Sequence, residues 1–375
     1  MSRYQLFGRC LESDLLFPEL TPGTGSPDWV LRTSSGNAEP PAGSVYLGED
    51  DVQGDIRVRL YGTSAGFWLA FDDSGSFAIT DGGRMIRWYR PTGGGDGRDV
   101  DAAARIDVLG RVLSLALHAD GRLCLHGSGV CLGGVGLGFL APKFHGKSTL
   151  SLALVRAGAR LVTDDTLVVD PASIPLALPG VHVMRLWSDS ARRLLLAHES
   201  GDAAAELPDP AAYPILDPSM YPIMDAKGGL DIAHDLAGQD KLCLPHLAPS
   251  RRMREPAPLA AIYLLAPAGS STSERQPAAA RTLLPPTAAA LALVGNGKLT
   301  PLLGRREAAI ALRRAVDVAR AVPVYTLSFL RDFNRLPEVV EQILDWHASS
   351  CPALTTVTTG HVASPSLVGP HLVGR

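Results

Sequence analysis

The segment 135–157 constrains the fold of this chain more than any other feature of its sequence. An apolar, strand-like run at 135–140 leads into a loop that ends in Gly146-Lys147-Ser148-Thr149, and a helical pattern follows at 148–157. In such a strand–loop–helix unit, the backbone N–H groups of the loop and the helix N-terminus face a bound phosphate. The lysine neutralises phosphate oxygens, and the serine hydroxyl coordinates Mg²⁺. The predicted phosphate-binding residues are Ala141, Pro142, Lys143, Phe144, His145, Gly146, Lys147, Ser148 and Thr149, and they are called the phosphate loop below.

The phosphate loop departs from the strict pattern at its first glycine, which is replaced by Ala141. Alanine fits there if its φ is negative, whereas Phe144, at a position where glycine is common, requires a strained or altered turn. Two readings stay open for Lys143, which either adds a second positive charge on the γ-phosphate or points to solvent. His145 is predicted to be a turn residue.

A pair of carboxylates, Asp164-Asp165, begins 17 residues after Lys147 and is called the acidic pair below. That spacing accommodates one helix, a turn at Gly158 and one short strand at 160–163. Strand–loop–helix–strand units normally form right-handed parallel crossovers, so the phosphate loop and the acidic pair are expected at the same carboxyl edge of a sheet. There one carboxylate would hold Mg²⁺, with Asp164 as the candidate ligand, and the other would accept a proton from an attacking hydroxyl; which of the two is the base stays open. The alternative is that the two aspartates only form a turn before Thr166.

Composition excludes several other classes of protein. The chain has 375 residues, of which 46% are hydrophobic, and a net charge of −3 without a long basic run, which argues against nucleic acid as a partner. No window approaches the roughly 18 consecutive apolar residues that span a bilayer, and the first residues lack the apolar stretch of a signal peptide. Five cysteines without Cys-x-x-Cys spacing argue against a disulfide framework or a zinc site. We therefore expect a soluble, cytoplasmic protein without a membrane partner.

The pattern along the chain predicts an α/β protein in three parts. Residues 1–98 are expected to form a smaller β-rich domain, with strands near 44–47, 56–60 and 66–71. A glycine-rich stretch at 91–97 is the expected boundary. Residues 99–349 are expected to form the phosphate-binding domain, beginning with a helix at 102–118 and ending with helices at 308–321 and 337–347 around a strand at 324–329. The last part, 350–375, is rich in Ser, Thr, Pro and Gly and is expected to be a disordered tail.

Three stretches resemble the catalytic domain of the HPr kinase/phosphorylase family, and especially the HPr-kinase-like proteins that accompany clusters making ribosomal peptides such as lasso peptides. They are Leu125-His126-Gly127-Ser128-Gly129-Val130, the run 138–150, and Gly158-Ala159-Arg160-Leu161-Val162-Thr163-Asp164-Asp165. The core similarity spans about residues 100–190.

The resemblance implies an ATP- and Mg²⁺-dependent kinase that acts on a serine-type hydroxyl. It also implies a P-loop-containing kinase domain related to HPr kinase and phosphoenolpyruvate carboxykinase. By position, Lys147 would bind the β- and γ-phosphates, Ser148 would bind Mg²⁺, and the acidic pair would contain the catalytic base. His126 matches a family histidine that lies near the reacting phosphate. The family also suggests a homo-oligomer.

The segment 178–187 lacks the Glu-Ile-Arg-Gly type of sequence that accompanies HPr recognition, which argues against HPr as the acceptor. A peptide, another protein or a small molecule would then supply the hydroxyl, with Arg185 and Lys241 as candidate substrate-binding residues. Surface ion pairs are the alternative role for these two cations. The competing function is a non-catalytic, nucleotide- or phosphate-binding regulatory module. The acidic pair distinguishes the kinase from the regulatory module, because a protein that only binds phosphate has little use for both carboxylates.

Overall fold

The computed structural model describes residues 1–36, 38–53, 56–92, 99–187, 190, 194, 241–244, 247–268 and 277–348. The predicted tail at 350–375 and most of the predicted boundary at 91–97 lie outside these residues. Within them the protein is a mixed α/β structure with two large sheets.

The first sheet has nine strands and is formed entirely by residues 2–90. It runs in the order β3-β1-β2-β4-β9-β8-β7-β6-β5, and alternation along its strands buries one face that includes Trp29, Phe77 and Trp88. The strands predicted near 44–47, 56–60 and 66–71 correspond to β5, β6 and β7. Its strands are β1 (Ser2–Leu6), β2 (Arg9–Ser13), β3 (Thr21–Pro22), β4 (Trp29–Ser35), β5 (Val45–Gln53), β6 (Ile56–Thr63), β7 (Gly66–Phe71), β8 (Gly75–Thr80) and β9 (Met85–Arg90).

A helical segment packs on the buried face of this sheet. The helix predicted at 102–118 is present but is interrupted by a π-helical turn, Val108–Val112, between α1 (Val100–Asp107) and α2 (Leu113–Ala119). It starts where the Asp99 side chain accepts hydrogen bonds from two backbone N–H groups. The core of the first sheet also includes residues from beyond position 98, among them Cys124, Val168 and Leu302. Residues from both sides of position 98 thus share one hydrophobic core, and the predicted domain boundary at 98/99 stays a prediction.

The second sheet holds the phosphate loop. Its strands run in the order β11-β10-β13-β14-β17-β19-β18, with β12 pairing with β10, and β11 also pairing with β17. They are β10 (Leu123–Leu132), β11 (Val135–Leu140), β12 (Arg160–Thr163), β13 (Thr166–Asp170), β14 (Leu176–Leu178), β17 (Ala257–Ala268), β18 (Ala279–Leu283) and β19 (Val324–Leu330), and a separate pair joins β15 (Met184–Trp187) to β16 (Lys241–Leu244).

Helices cover both faces of the second sheet. One hydrophobic cluster joins α3 (Lys147–Arg156) and α6 (Leu336–His347) to β11, β17 and β19, and another joins α4 (Pro286–Gly295) and α5 (Arg305–Ala321) to β10, β17 and β19. Short 3-10 turns lie at Asp81–Gly83, Pro249–Arg251 and Phe333–Arg335. Among the described residues no helix has the length and apolar character needed to cross a membrane.

The two strands of the predicted crossover run parallel, as expected, but they are not adjacent in the sheet. Strands β11 and β12 both pair antiparallel with β10, so they run parallel to each other with β10 between them. The strand predicted at 123–125 is longer in the structure, where β10 continues to Leu132. Leu140 at the end of β11 pairs with Gly127, and Thr163 at the end of β12 pairs with Gly129. The phosphate loop and the acidic pair consequently leave the sheet at the same edge, on either side of β10.

Candidate nucleotide-binding site

The phosphate loop connects the end of β11 to the start of α3. Gly146 precedes α3 with a φ of 86°, and Phe144 has a φ of 70°, which is left-handed backbone that costs a side chain about 1–2 kcal/mol. Phe144 thus makes the strained turn that its position predicted, and its side chain is exposed. Its carbonyl oxygen accepts a hydrogen bond of 2.9 Å from Arg331, directly after β19. Ala141 is buried and does not share the positive φ, as the sequence required.

The side chain of Lys147 folds back against the loop that precedes it. Its Nζ donates to the carbonyl oxygens of Ala141 (2.7 Å) and Pro142 (3.1 Å) and lies 3.3 Å from Nε2 of His126. The side chain is buried, and this burial lowers its pKa to about 8, although the two carboxylates of the acidic pair act in the opposite direction. A positive charge with few competing water molecules is a strong binding group for phosphate.

Ser148 and Asp164 form the second contact across the site. The Ser148 hydroxyl lies 3.0 Å from both carboxylate oxygens of Asp164, and the backbone N–H of Arg185 donates to the same carboxylate at 3.3 Å. Burial raises the pKa of Asp164 to about 6, with the neighbouring Asp165 charge adding to the effect. A bound cation would reverse this shift, because it stabilises the ionised carboxylate.

Asp165 is the exposed member of the acidic pair and has a φ of 71°. Its carboxylate contacts Lys298 (Nζ–Oδ2, 2.5 Å) and His126 (Nδ1–Oδ1, 3.4 Å). Burial acts to raise the pKa of this carboxyl, but that effect is limited because the side chain is 57% exposed. The charge of Lys298 and the hydrogen bond from His126 therefore prevail and hold the pKa well below its usual range. Asp165 is thus ionised at neutral pH.

His126 connects the two halves of the site. Burial lowers its pKa, so the ring is neutral and carries one proton. Lys147 can only donate, so Nε2 is the acceptor and Nδ1 carries the proton toward Asp165. His126 thereby joins the lysine of the phosphate loop to the exposed carboxylate of the acidic pair.

Lys298 was not predicted from the sequence. It follows α4 in the turn Gly295-Asn296-Gly297-Lys298, which pairs with β10: the carbonyl of Asn296 accepts from the backbone N–H of His126, and the N–H of Lys298 donates to Cys124. Gly297 is required, because a Cβ there would lie 2.4 Å from the Thr300 hydroxyl oxygen. A lysine directly after a glycine turn was the available signal, but its partner is 133 residues away. Arg331 was missed in the same way.

The structure brings together Lys147, Ser148, His126 and the acidic pair. Arg185 joins them through its backbone, while its side chain is exposed. The backbone of Lys241 pairs with Trp187, but its side chain lies outside the described residues. Lys143 is exposed, and its carbonyl bonds to the ring of His145. The substrate-binding roles of Arg185 and Lys241 stay predictions.

The donor set suits Mg²⁺ rather than a softer metal. No group of three or more His, Cys, Asp and Glu side chains that could hold an ion by itself occurs in the described part of the chain. Ser148 and Asp164 offer hydroxyl and carboxylate oxygens to one point, and Mg²⁺ typically takes one or two protein oxygens and completes its shell with phosphate oxygens and water. These residues fit an ion that arrives with a nucleotide.

Comparison with known proteins adds little to this geometry. No family profile matches the sequence, and no curated protein does. Among solved structures, the HPr(Ser) kinase/phosphatase from Coxiella burnetii aligns over 64% of this chain and 99% of its own, at 13% identity and a TM-score of 0.25. A score at that level does not bear on function, so the functional assignment depends on the site itself.

Proposed function

We propose that this protein is an ATP-dependent phosphotransferase that moves the γ-phosphoryl group to a serine-type hydroxyl. The observation that carries the proposal is the junction in the first half of β10, where Lys147 and the ionised Asp165 meet on the two nitrogens of His126. A phosphate-binding cation and a carboxylate open to solvent then lie on either side of one histidine, as transfer between a nucleotide and an acceptor requires.

Each side chain has a defined task in this proposal. Lys147 binds the β- and γ-phosphates and neutralises the charge that develops during transfer. Ser148 and Asp164 would hold Mg²⁺, which when bound would withdraw charge from the phosphates. Asp165 accepts the proton of the acceptor hydroxyl, whose oxygen forms a bond to the γ-phosphorus as the bond from phosphorus to the β–γ bridging oxygen breaks. ADP leaves with the electrons of that bond.

The two aspartates are assigned by their surroundings. Asp164 is 5% exposed and bonds to Ser148, so it faces the cation side of the site. Asp165 is 57% exposed, so an acceptor hydroxyl can reach it. Its low pKa makes it a weak base, which suffices because a loose phosphoryl-transfer transition state requires little proton removal in advance. His126 and Lys298 would keep its carboxylate oriented.

The acceptor class is proposed from the sequence. We propose a peptide, a protein other than HPr, or a small molecule, recognised with the help of residues 1–98 and of Arg185 and Lys241. We also propose that the protein works in the cytoplasm, where ATP is available, and that it self-associates, which sedimentation at several protein concentrations would test.

The test combines nucleotide binding with detection of the product. ATP, Mg²⁺ and peptides encoded by neighbouring genes are incubated with the protein, and the expected product is heavier by about 80 Da per modified hydroxyl. Lys147→Met should weaken nucleotide binding about 10- to 100-fold, as expected for loss of a charged hydrogen-bond donor. Asp165→Asn should leave binding unchanged and slow transfer about 100-fold or more.

Asp170→Asn is the matched control, because Asp170 lies on β13 a few residues beyond the acidic pair and bonds to Arg122 instead. It should behave as wild type. Tight nucleotide binding by the wild type without hydrolysis or transfer would refute the kinase and favour the regulatory module. The substituted phosphate loop, with Ala141 and Phe144 in place of glycines, is the observation in favour of that second function.

A further inference from the structure

The first turn of the chain packs against a segment that also bonds to the start of the acidic pair. Strands β1 and β2 are joined by the two residues Phe7 and Gly8, called the Phe7 turn below, with φ values of 51° and 70°. Positive φ at both positions is typical of a hairpin turn that favours Asn-Gly. Phenylalanine is unfavourable at the first position, yet its side chain is only 1% exposed. Strained residues persist only where surrounding contacts hold them, so a buried phenylalanine at this hairpin turn indicates a structural role.

The Phe7 turn docks on the segment 179–181. The backbone N–H of Phe7 donates to the carbonyl of Pro179 at 2.5 Å. A Cβ placed on Gly180 would lie 2.6 Å from the ring of Phe7 and 2.5 Å from the hydroxyl oxygen of Thr163. The ring of Phe7 and the hydroxyl of Thr163 thus both occupy the space where a side chain at position 180 would project. Only glycine fits at position 180 while Phe7 and Thr163 keep these positions.

The same segment holds the start of the acidic pair. The N–H of Gly180 donates to Val162 at 2.9 Å, and the N–H of Asp164 donates to Val181 at 3.1 Å. The fully buried Thr163 hydroxyl then bonds to the carbonyl of Thr166 at 3.0 Å, which closes the turn that carries both aspartates. A shift of the segment 179–181 would therefore be passed directly to Asp164 and Thr163.

We propose that Phe7 is a positioning residue that wedges the segment 179–181 against the end of β12 and so fixes the acidic pair in place. This inference rests on the proposed phosphoryl transfer for its catalytic consequence. It assigns the β-rich sheet a part in catalysis that does not depend on the acceptor. Lys147 is held through Ala141, Pro142 and His126, so binding of the magnesium-free nucleotide should not depend on the wedge.

The test replaces the ring while keeping the turn. Asparagine adopts positive φ readily, so Phe7→Asn should preserve the hairpin and remove the contact with Gly180. We expect kcat to fall about tenfold to hundredfold, as for other small displacements of catalytic groups, with the affinity for magnesium-free ATP unchanged. Phe77→Ala is the control, because Phe77 is equally buried in the same core but packs against Phe71 and Trp88. An unchanged kcat in Phe7→Asn, or an equal loss in Phe77→Ala, would overturn the proposal.

A second measurement separates this inference from the proposed function. Hydrogen exchange of the backbone amides of Gly180 and Asp164 should become about tenfold faster or more in Phe7→Asn, because both amides donate the hydrogen bonds that join the segment 179–181 to the end of β12. In Phe77→Ala they should exchange as in the wild type. If no phosphoryl transfer is found at all, the kinase fails but the exchange result still decides the wedge: unchanged protection in Phe7→Asn refutes it.

Discussion

The buried lysine of the phosphate loop gives the site a pH dependence that can be calculated. Burial lowers the pKa of Lys147 from 10.5 to about 8 in the ligand-free protein. A bound triphosphate stabilises the charged lysine and raises that pKa again. The sign follows by linkage: below pH 8 the lysine is already charged and binding is unaffected, whereas above pH 8 the protein must take up a proton to bind. Nucleotide affinity should therefore fall as the pH rises through 8.

The size of the effect follows from the fraction of charged lysine. With a pKa of about 8, that fraction is about three quarters at pH 7.5 and about 3% at pH 9.5. The dissociation constant should thus rise about 25-fold between these two pH values. The phosphates do not contribute, because their last pKa is near 6.

Titration calorimetry of the magnesium-free nucleotide, in two buffers of different ionisation enthalpy, measures both the affinity and the proton taken up. Lys147→Arg is the control, because a guanidinium stays charged over this range. Its affinity is expected to be lower, because a planar fork does not fit the two carbonyl contacts of Lys147, but independent of pH. A wild-type affinity that is constant from pH 7.5 to 9.5, or an equal slope in Lys147→Arg, would refute the role of Lys147.

Two further predictions concern other charged groups. Burial raises the pKa of Asp107 to about 7 despite its hydrogen bond from Ser74. The folded state therefore binds this proton more tightly than the unfolded state, so stability falls as the pH rises from about 4 to about 7. Asp107→Asn should remove this pH dependence of stability and raise the free energy of unfolding at pH 8 by about 2–4 kcal/mol. Urea denaturation followed by tryptophan fluorescence measures both effects. A wild-type stability that rises between pH 5 and 8 would contradict this prediction. Lys298→Met should lower kcat about tenfold with little change in nucleotide affinity, because Asp165 loses the charge that orients it; Lys298→Arg should recover part of the rate, and equal rates in all three proteins would exclude the role of Lys298.

Local patterns in the sequence predicted the centre of the site. The helix expected at 148–157 is Lys147–Arg156, and the strand expected at 160–163 is β12. These elements follow from short-range periodicity, so distant residues do not alter them. The pairing of the phosphate loop with the acidic pair was predictable too, since both lie within one crossover.

The course of β10 was not predictable by the same means. Gly127 and Gly129 interrupt its apolar pattern, and glycine normally indicates a turn. In the structure these glycines permit close approach: a Cβ on Gly127 would lie 2.7 Å from the carbonyl oxygen of Phe139 on β11. Lys298 and Arg331 were missed for a related reason, because their contacts depend on strand pairing over 133 and 187 residues.

The distribution of backbone strain bears on whether the site acts or only binds. Phe144 and Asp165 both have φ near 70°, and they lie in the two loops that converge beside His126. Strained residues persist where surrounding contacts hold them, and they concentrate at functional sites. Arg331 holds the carbonyl of Phe144 in the phosphate loop, while Gly127 and Lys298 hold Asp165. A module that only binds phosphate would require the first of these arrangements. The second orients a carboxylate beside Lys147, as the proposed acceptance of a proton by Asp165 requires.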